Sequence, residues 1–339
     1  MHVARLHRSA AVRAARLLRP ARVRVRAELD WRRTRAGRAD LALFHRFLPA
    51  PTGGGSQFLR ALVGELGRRG LAIEVDRISG GTKACLVNSF NFDFARLRRF
   101  ARDDVRVVHR VDGPIGVYRG FDDGTDRRIE RINQELADAT VFQSRYSLDK
   151  HRELGYELNS PVVIPNAPDP SIFHPPAQRP TPGDRLRVVA SSWSDNPRKG
   201  ADVLAWLDRN LDLGRYELTF VGQMRLELAR VRRLEPMASE PLADLLRQQD
   251  VFLAASLDDP CSNALLEALA CGLPALYRRS GGHPELVGEA GVGFDEPEEI
   301  PEALERLAAG LDAFRGAIRT PSLAEVADRY LEVLECREG

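Results

Sequence analysis

The stretch VFLAASLDDPCSNALLEALACGLPALY (251–277) decides the fold. Its opening VFLAAS (251–256) and closing PALY (274–277) are apolar runs of strand length. Between them Ser262 precedes a series of strong helix formers, and Gly272 ends it, so a helix is expected over 262–272. A strand, a helix and a second strand in close succession form a parallel βαβ unit.

The same alternation continues in both directions. LRVVAS (186–191) and YELTFV (216–221) read as strands, and GADVLAWLDRNL (200–211) and EPLADLLRQQ (240–249) as helices. From about Ile300 onward the chain reads as helical. Nearer the N-terminus, LALFH (41–45), AIEV (72–75), CLVN (85–88), VRVVH (105–109), ATVFQ (139–143) and PVVIP (161–165) read as strands. Helices are expected over 57–69, 93–101, 127–138 and 144–154. Seven prolines within 165–185 leave no room for a helix or a central strand, so this segment reads as a linker. The expected fold is α/β, with two doubly wound Rossmann-like domains, 40–165 and 186–320, facing across a cleft. A basic tail (1–39), the linker (166–185) and a terminal helical segment (321–339) complete the chain.

Composition narrows the function classes. With 43% hydrophobic and 29% charged residues the chain is globular rather than disordered. No apolar run reaches eighteen residues, so no membrane-spanning helix is expected. The Arg-rich start lacks the apolar core and cleavage site of a secretory signal. Cys85, Cys261, Cys271 and Cys336 are widely spaced, which fits reduced thiols in a cytoplasmic protein and argues against structural zinc. Charge is uneven: residues 1–39 hold twelve arginines against Glu28 and Asp30, a net of +10, so the other 300 residues carry −8 of the overall +2. That tail reads either as an amphipathic helix lying on an anionic membrane surface or as a solvated extension. No aromatic interleaving or nucleic-acid module follows it, so no nucleic-acid partner is expected.

Several residues carry candidate chemistry. Asp259 precedes the helix at 262–272 and Glu267 lies within it, eight positions on. Ser262 can cap that helix, and the backbone N–H groups around Cys261, Ser262 and Asn263 then form an anion site suited to a diphosphate. Arg198 and Lys199 stand before Gly200 at another helix start, where the dipole disfavours cations. An ammonium there can neutralise charge on a leaving group. In PTGGGSQF (51–58), Gly53, Gly54 and Gly55 join a strand to a helix and allow close backbone approach to a ligand. The loop is neither a Gly-x-Gly-x-x-Gly nor a P-loop. His109 and Asp112 close the strand at 105–109, and Gly222, Gln143, Ser144 and Asn166 occupy further strand ends. No Asp-x-Asp, His-Glu-x-x-His or Gly-x-Ser-x-Gly occurs, and no metal or cofactor is expected.

The run LLEALACGLPA, followed by Gly281-Gly282-His283-Pro284-Glu285, resembles the acidic-x7-acidic signature of the retaining GT-B glycosyltransferases of family four. In that family a helix reading LLEALACGLPV precedes a Gly-Gly-x-Pro-Glu turn. The resemblance extends from residue 41 to about 334 and is strongest over 185–290. It implies a nucleotide-diphosphate sugar as co-substrate, a glycan or lipid-linked acceptor, retention of configuration, and no metal. Asp259 would then face the donor sugar, Glu267 the ribose, and the backbone from Cys261 to Asn263 the phosphates. Lys199, with Arg198 beside it, would pair with the diphosphate, which Gly54 and Gly55 would border from the other domain, and Gly222 would line the donor side. His109 and Asp112 would serve the acceptor. The first acid is usually Glu in the family; Asp259 is one methylene shorter, with Asp258 beside it. SLAEVADRYLEVLE (322–335) resembles the helix that crosses back onto the first domain. A nucleotide-sugar epimerase of the same fold and a non-catalytic sugar- or membrane-binding relative are the alternatives.

Overall fold

The computed structural model describes residues 39–47, 54–180 and 183–335. The proposed basic helix of the tail, Gly53 and Cys336 lie outside the described residues.

The first domain runs β1 (Leu41–Phe44), α1 (Gly54–Arg68), β2 (Ile73–Val75), β3 (Ala84–Asn88), α2 (Phe94–Phe100), β4 (Arg106–Val111), α3 (Ile115–Arg119), α4 (Thr125–Leu136), β5 (Ala139–Phe142), α5 (Arg145–Glu153) and β6 (Pro161–Val163). The second runs β7 (Leu186–Ser192), α6 (Ala201–Asn210), β8 (Tyr216–Gly222), β9 (Arg232–Leu234), α7 (Ser239–Arg247), β10 (Val251–Ala254), α8 (Asn263–Ala270), β11 (Ala275–Arg278), α9 (His283–Val287), β12 (Gly291–Phe294), α10 (Ile300–Ala309) and α11 (Leu311–Gly316). A last helix, α12 (Leu323–Leu334), follows.

Each domain holds one six-stranded sheet, in the orders β2-β1-β3-β4-β5-β6 and β12-β11-β10-β7-β8-β9. Every pairing is parallel. Central strands such as β1 (LALF), β3 (ACLVN) and β10 (VFLA) are buried along their whole length. Helices cover both faces of such a sheet, which is why these strands read as continuous apolar runs without alternation. β9 and β12 carry no such run: β9 is Arg-Arg-Leu with both arginines exposed, and β12 alternates glycine with Val292 and Phe294.

Strand order reverses direction between β1 and β3 in the first sheet, and between β7 and β10 in the second. Loops leaving neighbouring strands diverge at such a point and open a crevice at the carboxyl ends. The loops that begin at 45–47 and 89–93 therefore lie at one crevice, and 193–200 and 255–262 at the other.

The Pro-rich segment is tied to both domains. Ala167 joins the core of the first domain and Phe173 that of the second, while Arg179 donates to the Gly272 carbonyl at 3.0 Å. Helix α12 opens with a capping box, Ser322 with Glu325, and buries Leu323, Val326, Ala327, Tyr330, Leu331 and Leu334 against α1, β3 and β4 of the first domain. Arg69 ties it to α1 through an ion pair with Asp328 and a hydrogen bond to the Ala324 carbonyl.

Candidate active site

The second domain's crevice is built by two loops. After β7, Asn196 caps a short turn, Pro197–Lys199, that carries the two cations. The Leu257 N–H donates to the Arg198 carbonyl at 2.8 Å and ties this turn to the loop after β10. Lys199 Nζ thereby reaches Asp259 Oδ2 at 2.7 Å. Asp259 Oδ1 accepts the Cys261 N–H at 3.2 Å. Burial works to raise the Asp259 carboxyl, but the charges of Lys199 and His283 outweigh it and hold the group below its ordinary range. Burial works against the Lys199 ammonium too, and Asp259 more than offsets this, holding its pKa above the usual lysine value. Both groups are therefore charged at neutral pH. Beside them Arg198 pairs with Asp258, whose other oxygen accepts from Tyr146 Oη of the first domain at 2.7 Å.

The Gly-Gly turn explains itself in packing. A Cβ on Gly281, at φ +63°, would lie 2.3 Å from the Asp259 carbonyl oxygen, so the turn approaches the acid's backbone as only glycine allows. The Gly282 N–H donates to that same carbonyl at 2.8 Å. Two residues past His283, the Glu285 carboxylate accepts the N–H groups of Arg145 and Tyr146 at 2.9 and 3.0 Å. It caps α5 across the domain boundary.

Helix α8 starts at the same place. Ser262 caps it by accepting from the Leu265 N–H at 3.4 Å, and Cys261, Ser262, Asn263 and Ala264 border a cavity of about 750 Å³ between the domains. Opposite stands the start of α1: a Cβ on Gly54 would lie 2.4 Å from Asn263 Nδ2, whereas nothing lies within 4 Å of one on Gly55. Gly54 thus lets two helix starts meet, and Gly55 opens on the cavity. Glu267 lies in a second cavity of about 460 Å³, walled by Gln57 and Arg60 of α1, Phe173 of the linker and Ser239. Asn263 borders both cavities. Glu267 is only 5% exposed, and burial pushes its carboxyl up to about 8.

The first domain's wall is polar. Asp112 borders the larger cavity with His45, Asn88 and Gln143. Behind them Arg110, fully buried, donates to Asn88 and Asp112, and to Asn166 Oδ1 at 2.8 Å.

Two residues stand elsewhere than the sequence reading places them, and a third has its N–H otherwise engaged. His109 does not reach the cleft: β4 turns its ring into the interior, where Nε2 bonds the Ser89 carbonyl at 2.7 Å and Nδ1 the Asn133 amide at 3.2 Å. Burial holds it neutral, at about 4. The histidine bordering the cavity is His45, at the end of β1. Gly222 does not line the cleft either; at φ +127° it lets β8 approach Ser192, whose carbonyl oxygen would sit 1.9 Å from an added Cβ. The Cys261 N–H, expected to face a phosphate, donates to Asp259 instead. Reading polar residues at strand ends would have found His45 and Asn88, which follow LALF and close ACLVN.

Two doubly wound parallel domains whose switch points face each other across a charged cleft define the GT-B architecture. Solved structures with this fold superpose over nearly the whole chain. Starch synthase IV of Arabidopsis thaliana, bound to ADP and acarbose, gives a TM-score of 0.66 at 12% identity over 88% of this chain and 99% of that one. Anabaena HepE with UDP and glucose gives 0.64 at 16% identity over 87% and 99%. By sequence, residues 188–310, within the second domain, match the family Glycosyl transferases group 1. One component of the human phosphatidylinositol N-acetylglucosaminyltransferase is 31% identical over 180 residues, 48% of this chain and 36% of its own length. The MMP alpha-(1->4)-mannosyltransferase of Mycolicibacterium hassiacum is 25% identical over 210 residues, 55% of this chain and 48% of its own. The chain thus spans less than half the length of these curated relatives.

Proposed function

We propose that this chain is a glycosyltransferase that moves a hexosyl or related sugar from a nucleotide-diphosphate donor to a glycan or lipid-linked acceptor. The observation that carries the reading is the 2.7 Å Lys199–Asp259 pair, standing at the switch point beside the start of α8. A helix start with an adjacent ammonium suits a diphosphate. The diphosphate sits against Ser262, Asn263 and the start of α1, and Lys199 leaves Asp259 to meet it. Asp259, released, accepts hydroxyls of the transferred sugar in the larger cavity. The nucleoside occupies the smaller cavity, its ribose diol donating to Glu267. The acceptor hydroxyl approaches from Asp112 and His45.

The charges already in place stabilise the leaving diphosphate, so the reaction needs no metal. Transfer proceeds with retention: the attacking hydroxyl gives its proton to the leaving diphosphate on the same face, and no enzyme nucleophile takes part. The cationic tail adds attraction to an anionic membrane surface. Among the described residues no helix is long and apolar enough to cross a membrane.

A thermal-shift screen against nucleoside diphosphates and their sugars tests the donor site, because a ligand at a hundred times its Kd stabilises by about 2.7 kcal/mol. No shift with any of them rejects the reading. Proton NMR of the first-formed product decides the anomeric outcome, and an inverted product removes retention.

A further inference from the structure

The largest fully buried side chain among the described residues is a charged one, Arg110. Its guanidinium stacks over the Phe58 ring, 5.1 Å from the centroid, and serves two arms. One runs through Asn88 to His45 Nδ1 at 3.2 Å, and from His45 Nε2 to Ser56 Oγ, in the first turn of α1, at 2.9 Å. The other runs through Asn166 to Gln143 Oε1 at 2.9 Å and to Asn263 Oδ1, at the start of α8, at 3.0 Å.

Arginine donates and never accepts. That fixes the direction of each bond outward from it. Asn88 and Asn166 receive the guanidinium on Oδ1, so each presents its NH2 to the next partner. His45 must accept on Nδ1 and carry its proton on Nε2, facing Ser56. Gln143 must accept on Oε1 and donate to Asp112. Asn263 must accept on Oδ1, which leaves its NH2 turned toward Gly54, where the two cavities join.

We infer that Arg110 is a positioning residue: as the donor-only root of this network, it locks the Asn263 amide with its NH2 toward the join of the two cavities. The inference rests on the transferase reading for its ligand, since that join is where nucleoside meets diphosphate. The amides can flip and His45 has two tautomers, so direction enters only from the ends. It comes from Arg110 at the root and, on the second arm, also from the acceptor carboxylate of Asp112, which orients Gln143 in the same sense.

The test has two arms. Nitrogen NMR of the histidine rings reads the network without a ligand. The Nε2–H tautomer of His45 is expected in the wild type, and its loss on Arg110→Met; an Nδ1–H ring in the wild type overturns the inference. The kinetic arm uses Asn166→Asp and Asn88→Asp, which each keep an acceptor for Arg110 and add the same charge but abolish donation along one arm. Asn166→Asp is expected to raise the donor KM about tenfold, the scale of one hydrogen bond lost, with acceptor KM unchanged. Asn88→Asp is expected to leave the donor KM within twofold. Equal effects from the two variants overturn the inference. If the wild type binds no nucleoside diphosphate, the transferase reading fails, while the His45 tautomer still decides what Arg110 does.

Discussion

The two walls of the cleft are built by different physics. The wall from the second domain uses ion pairs, Lys199 with Asp259 and Arg198 with Asp258, held between two loops. The wall from the first domain uses amides and a neutral imidazole arranged around a single buried guanidinium. A charged pair can exchange partners when a polyanion arrives, because each member keeps its charge. A network rooted in a buried arginine cannot, because losing one amide leaves a buried guanidinium N–H unsatisfied at a cost of about 1–3 kcal/mol. The second domain's wall is made to change on binding, and the first domain's to stay as it is.

The largest effect expected separates the walls directly. Lys199→Met should lower kcat/KM for the nucleotide-sugar by roughly 10²–10³, the scale on which one preorganised charge stabilises a transition state. Asp112→Asn, on the opposite wall, should raise acceptor KM and leave the dissociation constant of the nucleoside diphosphate within twofold. Equal losses of donor affinity from both variants would break the comparison.

Next is Tyr330→Ala, which empties a fully buried site between α12 and α1. Denaturant titration should show about 3–5 kcal/mol lost. Nucleotide-stabilised melting of the second domain should persist.

Glu267 sharpens the comparison through pH. Its folded pKa, about 8, lies above the ordinary 4.5, so the folded protein keeps a proton that the unfolded chain sheds between those values. Stability from this group is whole below pH 4.5 and declines as pH rises toward 8. Glu267→Gln should therefore be more stable than wild type at pH 8, by on the order of 4 kcal/mol, and equal to it at pH 4.5. Donor affinity in the wild type should rise up to tenfold per pH unit approaching 8, as the ribose selects the carboxylate, and titration calorimetry of the variant should show no such slope.

The smallest effect belongs to the buried imidazoles. His45 and His109 are both held at about 4, well under their unfolded value. The unfolded chain takes up protons below about pH 6.5 that these rings refuse, so stability falls as pH drops from there toward 4. His109→Gln should flatten that decline by one proton in thermal melts, without changing acceptor KM.

The difference between the walls also decides what could be read from sequence. Strand–helix alternation marks most of the fold, because buried parallel strands need continuous apolar runs. The second domain's wall is contiguous: Asp259, Ser262, Asn263 and Glu267 lie in a single loop and helix, with Lys199 adjoining them from one other loop. The first domain's wall gathers residues from the ends of β1, β3, β4 and β5 and from the linker, each a lone polar residue in an apolar context. His109 shows the difficulty. Side chains along β4 alternate between faces, so the strand turns its histidine into the core, and no periodicity distinguishes a strand that ends at the cleft from one that bends before it.

Helix α12 has a consequence for synthesis. Domains generally fold as units, the earlier one first, while the chain emerges. Here the first domain's core lacks Leu323, Val326, Tyr330 and Leu331 until the whole second domain has been made. The second domain can close its own core while its elder neighbour still exposes an apolar groove on α1. A nascent chain of this protein should thus need shielding over its first domain until α12 has emerged.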